Sequence, residues 1–258
     1  LTGSDSSQTL STGWVGRFLN QEYPGYPSGY PNATDSDPLA LQIGSVVSTA
    51  LQGSSVNMGI AITSSSNFYQ LVSGNYDPAP STPAGHELSF IRETSLPTQQ
   101  SSGVIKNAAL SQANISTLYP TAGTNPLADQ LKIVAQLIGG GLQTRIYMVN
   151  LGSFDTHNNQ IDITGGNQNG QHAVLLQQLS DAIAAFQDDI TLMGQHDRVM
   201  GMTFSEFGRR IKSNASYGTD HGSSLPVILF GSKIKGGLVL ERSHLIGLRR
   251  KHSLNHKG

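Results

Sequence analysis

Residues 125–152 constrain the fold most. "NPLADQLKIVAQLIGGG" places Leu127, Leu131, Val134, Leu137 and Ile138 on one helical face, and the glycines that follow stop the helix. A few residues later "RIYMVNLG" (145–152) is an apolar run of strand-forming residues. "HAVLLQQLSDAIAAFQDDITLMG" then lines Leu175, Leu179, Ile183, Phe186 and Ile190 along one side of a long helix. "RVMGMTFSEFG" (198–208) and "LPVILFG" (225–231) read as further strands. Helix, strand, helix, strand is the rhythm of an α/β domain with a largely parallel sheet. The link 207–224 is rich in Gly, Ser and Asn and has no helical face. A parallel crossover normally needs a helix there, so the last strand is expected to run antiparallel.

The rest of the chain is less sharply patterned. Residues 1–40 are rich in Gly, Pro, Ser and Tyr and read as an irregular arm. Its one short helix is expected over "TGWVGRFLNQ", with Thr12 as N-cap. A short strand is expected at 55–63, and broken helical pieces over 86–118, interrupted at Pro97 and Gly103. The core α/β domain is therefore placed at 41–238 and a basic, atypical tail at 239–258.

Composition narrows the function. Charged residues make up 13% of the chain, about half the roughly 25% usual for soluble proteins. The net charge of −1 provides no field to steer nucleic acid or membrane lipid. No run approaches the roughly 18 apolar residues of a membrane span. The absence of cysteine excludes disulfides and thiolate chemistry. Charge is uneven: residues 1–234 hold 10 Lys/Arg against 16 Asp/Glu, and residues 235–258 hold 6 against 1.

Three motifs carry chemistry. In "NLGSFDTHNNQ", Asp155 and His157 are two residues apart, so in extended chain both side chains point the same way. They lie just past the carboxyl end of a strand, where open α/β sheets place their sites. Alone, such a pair is more often an Asp capping a turn beside a surface His. In "TFSEFGRR", Glu206 follows the next strand and opens onto the same edge if the two strands are parallel neighbours. Arg209 and Arg210 then offer donors for a phosphate or sulfate, or are simply a solvated pair. In "GTDHGSSLPVILFG", Asp220 and His221 precede a strand. If that strand is antiparallel, its entrance meets the same rim. Carboxylates and imidazoles together suit Zn²⁺, Mn²⁺ or iron, and two such ions would favour in-line displacement at phosphorus or sulfur. His172 opens the long helix and could support a ligand from behind. His86, His196, His244, His252 and His256 have no partners at ligand spacing, and Trp14 reads as packing.

"TGWVGRFLN", "FDTHNNQ", "HAVLLQQLSDAIAAF", "DRVMGMTFSEFGRRIKSNASYGTDHG" and "GSKIKGGL", in this order, resemble the bacterial domain of unknown function 1501 family over residues 12–238, most specifically within 150–237. That family is similar to the alkaline phosphatase and sulfatase superfamily. The resemblance implies a three-layer α/β/α sandwich, incomplete here, with a mostly parallel sheet and an antiparallel strand near the C-terminus. It implies metal-dependent hydrolysis of phosphate or sulfate esters. The divalent metal would be zinc, or else manganese or iron, as one or two ions. Asp155 and His157 match the superfamily's Asp and His ligands of one metal, and His221 the histidine that completes it. Glu206 falls where a second metal's Asp sits, with Asp220 as a further candidate and Arg209 as the residue steadying the substrate anion. The implied partner is a small anionic ester or a sulfated or phosphorylated glycan. The implied location is extracytoplasmic.

The pattern also departs from the superfamily. The first pair is usually D-x-x-x-H, and the second metal's Asp-His reads Glu206-Phe207 here. A strand and "GGNDG"-like turn bearing the nucleophile are expected upstream of residue 1. Weak or no turnover by this chain is therefore expected, as is a gene fragment or a frame change near 235–240 to account for the charge reversal. The alternative is a non-catalytic binding or structural protein that retains a relic metal site.

Overall fold

The computed structural model describes residues 9–64, 81–85 and 101–237. Its organising element is β1 (Ala40–Ile43), buried at all four positions. β1 pairs in parallel with β2 (Ile60–Ile62) on one side and β3 (Ile146–Met148) on the other, giving the order β2-β1-β3. Strand alternation sends side chains to opposite faces, and two apolar clusters follow from it. Leu41, Ile43, Ile60 and Ile62 face α2 (Pro126–Gly139), α3 (Gln171–Leu192) and the helical residues 101–111. Ala40 and Met148 face α1 (Trp14–Glu22) and the 3-10 turn Thr49–Leu51, through Val15, Leu19, Ala50 and Leu51. Each fully buried large aliphatic here is worth about 1.5–3 kcal/mol relative to exposure.

α2 forms as its sequence demands. The Asn125 side chain caps it by accepting from Ala128 N, Pro126 occupies the first turn, and Gly140 ends it. Leu127, Leu131, Val134, Leu137 and Ile138 are all buried. On α3, Leu175, Phe186 and Ile190 are buried while Leu179 and Ile183 are half-buried. Asp189, fully buried on the same helix, accepts from Asn114 Nδ2 (2.7 Å), Ile115 N (2.7 Å) and Ser116 N (2.9 Å). Three donors answer a carboxylate that burial would otherwise penalise heavily.

Several expectations change. β1 is the central strand, yet its short "ALQI" run did not stand out among Gly, Ser and Pro. The strand expected at 145–152 is confined to Ile146–Met148. α1 is capped by Gly13 without a side-chain bond, and Thr12 Oγ1 instead accepts from Arg17. The short helix expected in the arm forms as α1, and residues 14–23 pack Val15, Leu19 and Tyr23 into the core. Gly103 lies inside the helical stretch 101–111. Pro97, His86 and the tail 239–258, with His244, His252 and His256, lie outside the described residues.

The C-terminal strands depart furthest. Within 198–208 only β4 (Gly201–Met202) forms, and within 225–231 only β7 (Leu229–Phe230). The two pair antiparallel, as expected for the last strand, but β4 is not a parallel neighbour of β3. Of the apolar side chains here, Met202, Val227, Ile228 and Leu229 are exposed, while Phe230 is half-buried against the core. The link between these strands, which shows no helical face in the sequence, forms a hairpin of β5 (Gly208–Ser213) and β6 (Thr219–Gly222).

Candidate metal centre

The loop leaving β3 is held close to its start. Gln130 of α2 grips Asn150 at both ends, donating to its carbonyl (2.8 Å) and accepting from its N–H (2.9 Å). Ser153 (φ 69°) and Asn159 (φ 50°) are left-handed and bracket the segment carrying Asp155 and His157. Such backbone costs a non-glycine residue about 1 kcal/mol or more and persists where its surroundings enforce it.

The enforcing partner is the β5–β6 hairpin. Asn159 N donates to Ser216 O (3.1 Å), Gln160 N to Tyr217 O (3.0 Å), and Thr219 Oγ1 to Gln160 Oε1 (2.8 Å). The Arg209 guanidinium donates to Phe154 O (2.6 Å) and Thr219 O, and lies 3.4 Å from Asp155 Oδ1. The fit is tight at Gly218, where a Cβ would stand 2.2 Å from His157 O.

Docking the hairpin delivers His221 to the loop. His221 Nε2 lies 2.8 Å from Asp155 Oδ1, and His157 Nε2 lies 3.1 Å from the same oxygen. One ligand atom from each of Asp155, His157 and His221 falls within 4.8 Å of the others, a group able to hold a metal ion. Tetrahedral ligands at roughly 2.0–2.1 Å from zinc are about 3.3 Å apart, and the two Asp155–imidazole distances of 2.8 and 3.1 Å lie within about half an ångström of that spacing. Three protein ligands, all exposed, leave a coordination position facing water.

Asp155 is held below the ordinary carboxylate range chiefly by the His221 hydrogen bond; desolvation opposes it, and the charges of His157, His221 and Arg209 each add a smaller lowering. A carboxylate that stays ionised is what a cation requires. Asp220 is also lowered, chiefly by the Asn214 hydrogen bond, with Arg210 and His157 adding to it. Burial and the Arg209 charge lower His172, whose ring meets Phe154 edge-on at 6.0 Å.

Of the candidates read from sequence, Asp155, His157 and His221 come together. Asp220 stands behind them, its Oδ1 3.7 Å from His157 Nδ1, with Arg210 3.8 Å from its other oxygen. Glu206 is exposed on a bend after β4 and is outside the ligand group among the described residues. β4 pairs with β7 rather than with β3, so the parallel-neighbour relationship from which Glu206 was expected at the rim does not form. Arg209 ties the loop to the hairpin through backbone carbonyls. His172 sits in the first turn of α3, and His196 in the 3-10 turn His196–Arg198. Trp14 packs edge-on against Phe204 at 5.7 Å.

Two contributors escaped the sequence reading. Phe207 stacks on His221, with ring centroids 4.2 Å apart and planes 16° from parallel. Asn214 bonds both Asp220 and the His157 carbonyl. Neither residue type marks a metal site, and only its place beside His221 or Asp220 gives it a role.

No curated protein and no solved structure gives a match to the chain. The family model described as "Protein of unknown function (DUF1501)" matches residues 77–254, a span that includes Asp155, His157 and His221 and well over half of the sequence. The chain therefore belongs to the DUF1501 family.

Proposed function

We propose that the chain is a metal-dependent hydrolase of phosphate or sulfate esters, with Asp155, His157 and His221 holding a divalent ion. The observation that carries this reading is the convergence of His157 Nε2 and His221 Nε2 on Asp155 Oδ1. Two imidazoles and one carboxylate suit zinc, with manganese or iron as alternatives. When bound, such an ion supplies Lewis acidity toward an ester oxygen. The protein's own residues do the positioning: Asp155 stays ionised, Phe207 holds the His221 ring by stacking, and Asp220 faces Nδ1 of His157. A carboxylate in that position orients a ligating imidazole and raises its basicity. The exposed site suits a small anionic ester or the sulfate or phosphate of a glycan. The resemblance to the alkaline phosphatase and sulfatase superfamily supports the same reading and an extracytoplasmic location. No helix among the described residues is long and apolar enough to cross a membrane.

The second reading is a non-catalytic protein that retains one metal site. It is favoured by Glu206 lying outside the ligand group and by Arg209 bonding to backbone carbonyls. Elemental analysis of purified protein, paired with hydrolysis of aryl phosphate and aryl sulfate, separates the readings. Bound metal with turnover that Asp155→Ala abolishes supports the hydrolase. Bound metal without turnover supports the second reading, and no bound metal rejects both.

A further inference from the structure

The Asn214 side chain uses all four of its hydrogen-bonding positions. Its Oδ1 accepts from Ser216 N (2.9 Å) and Gly218 N (3.1 Å), closing the turn between β5 and β6. Its Nδ2 donates outward, to His157 O (2.9 Å) and Asp220 Oδ1 (3.0 Å). That Asp220 oxygen is the one facing His157 Nδ1. One amide therefore fixes both the backbone of His157 and the carboxylate behind its ring. The division of labour within the side chain is clean, with the oxygen serving the turn and the nitrogen serving the ligand.

We infer that Asn214 is the positioning residue of this centre, setting the His157 imidazole through the His157 carbonyl and through Asp220. This rests on the metal reading above. It makes Asn214 dispensable for the hairpin turn only in part: a side chain with oxygen acceptors keeps the turn closed but no longer holds the ligand. Gly218, packed against the His157 carbonyl, leaves little slack for the ring to be set in any other way.

The variant Asn214→Asp isolates the claim. It keeps acceptors for Ser216 and Gly218 but replaces the donor to His157 O and Asp220 with a carboxylate. Zinc affinity of the full chain, measured by competition with a chromophoric chelator, is expected to fall about 10- to 100-fold, the scale of lost outer contacts at metal sites. Simple electrostatics predicts the opposite sign, since the variant adds negative charge near a cation site. Hydrogen exchange at the Ser216 and Gly218 amides reports whether the turn survives. Retained protection with unchanged or tighter zinc binding overturns the inference. If protection is lost, a cycle of Asn214→Ala, Asp220→Ala and the double variant decides. Action through Asp220 predicts a double loss smaller than the product of the single losses, and multiplying losses overturn it. Wild-type protein that binds no zinc overturns the metal reading and this inference together, whereas tight wild-type binding with unaffected variants overturns this inference alone.

Discussion

His221 Nε2 lies 2.8 Å from Asp155 Oδ1 although 66 residues of chain separate them. The contact joins a loop leaving the parallel sheet to a hairpin with little apolar surface to bury, since β5 and β6 are half-buried at best. Polar bonds and ring stacking, rather than a shared core, register the two.

Phe207 supplies the stacking. Its ring lies under His221 and beside the Arg209 guanidinium, whose carbon is 5.0 Å from the ring centre. Phe207→Ala is expected to lower stability by about 0.5–1.5 kcal/mol and to weaken zinc binding about tenfold, whereas Phe207→Tyr retains both. Thermal melts with chelator competition read the two effects separately.

Gly218 supplies close approach. A methyl group there meets the His157 carbonyl oxygen at 2.2 Å, a backbone atom that cannot swing aside. Gly218→Ala is expected to separate hairpin from loop, with hydrogen exchange accelerating at Asn159 and Gln160, whose N–H groups bond Ser216 O and Tyr217 O. Zinc affinity falls with it. Unchanged exchange at those two amides contradicts the packing argument.

Asp189 gives a control remote from the site. Asp189→Ala leaves the Asn114, Ile115 and Ser116 donors without their acceptor. The expected loss is about 3 kcal/mol or more, seen as a lower urea midpoint, with zinc affinity of the remaining folded protein unchanged.

Asp162 gives a pH signature. The Gly165 N–H first, then the Thr164 hydroxyl and N–H, hold its carboxyl below the ordinary carboxylate value. A folded-state value lowered in this way gives stabilisation that is fully present above about pH 3.9, the ordinary value, and is lost as pH falls through the lower folded value. The Thr164 and Gly165 amide resonances should titrate below that ordinary value. Titration at or above it contradicts the turn geometry, and Asp162→Asn should remove the transition.

What was legible in the sequence divides along physical lines. α2 and α3 announced themselves because helical period and burial coincide at Leu131, Val134, Phe186 and Ile190. The family was legible in its ordered motifs. The Asp155 and His157 pair was visible because spacing alone points both side chains one way; His221 was expected at the same place through an antiparallel last strand, whereas the β5–β6 hairpin is what brings it there. β1 was missed because four buried residues in a Gly- and Pro-rich region carry too little period. The β5–β6 hairpin was missed because its faces lack apolar alternation. The argument for Glu206 took successive strands as parallel neighbours, and β4 pairs with β7 instead. The roles of Asn214 and Phe207 depend on tertiary contacts that no local pattern encodes.

The most direct measurement is the zinc stoichiometry and affinity of the purified full chain beside Asp155→Ala and His221→Ala. The account predicts one ion per chain in the wild type, with each variant losing more than the 10- to 100-fold typical of outer contacts. A wild type that binds no transition metal, or variants that bind it as tightly as the wild type, would contradict it.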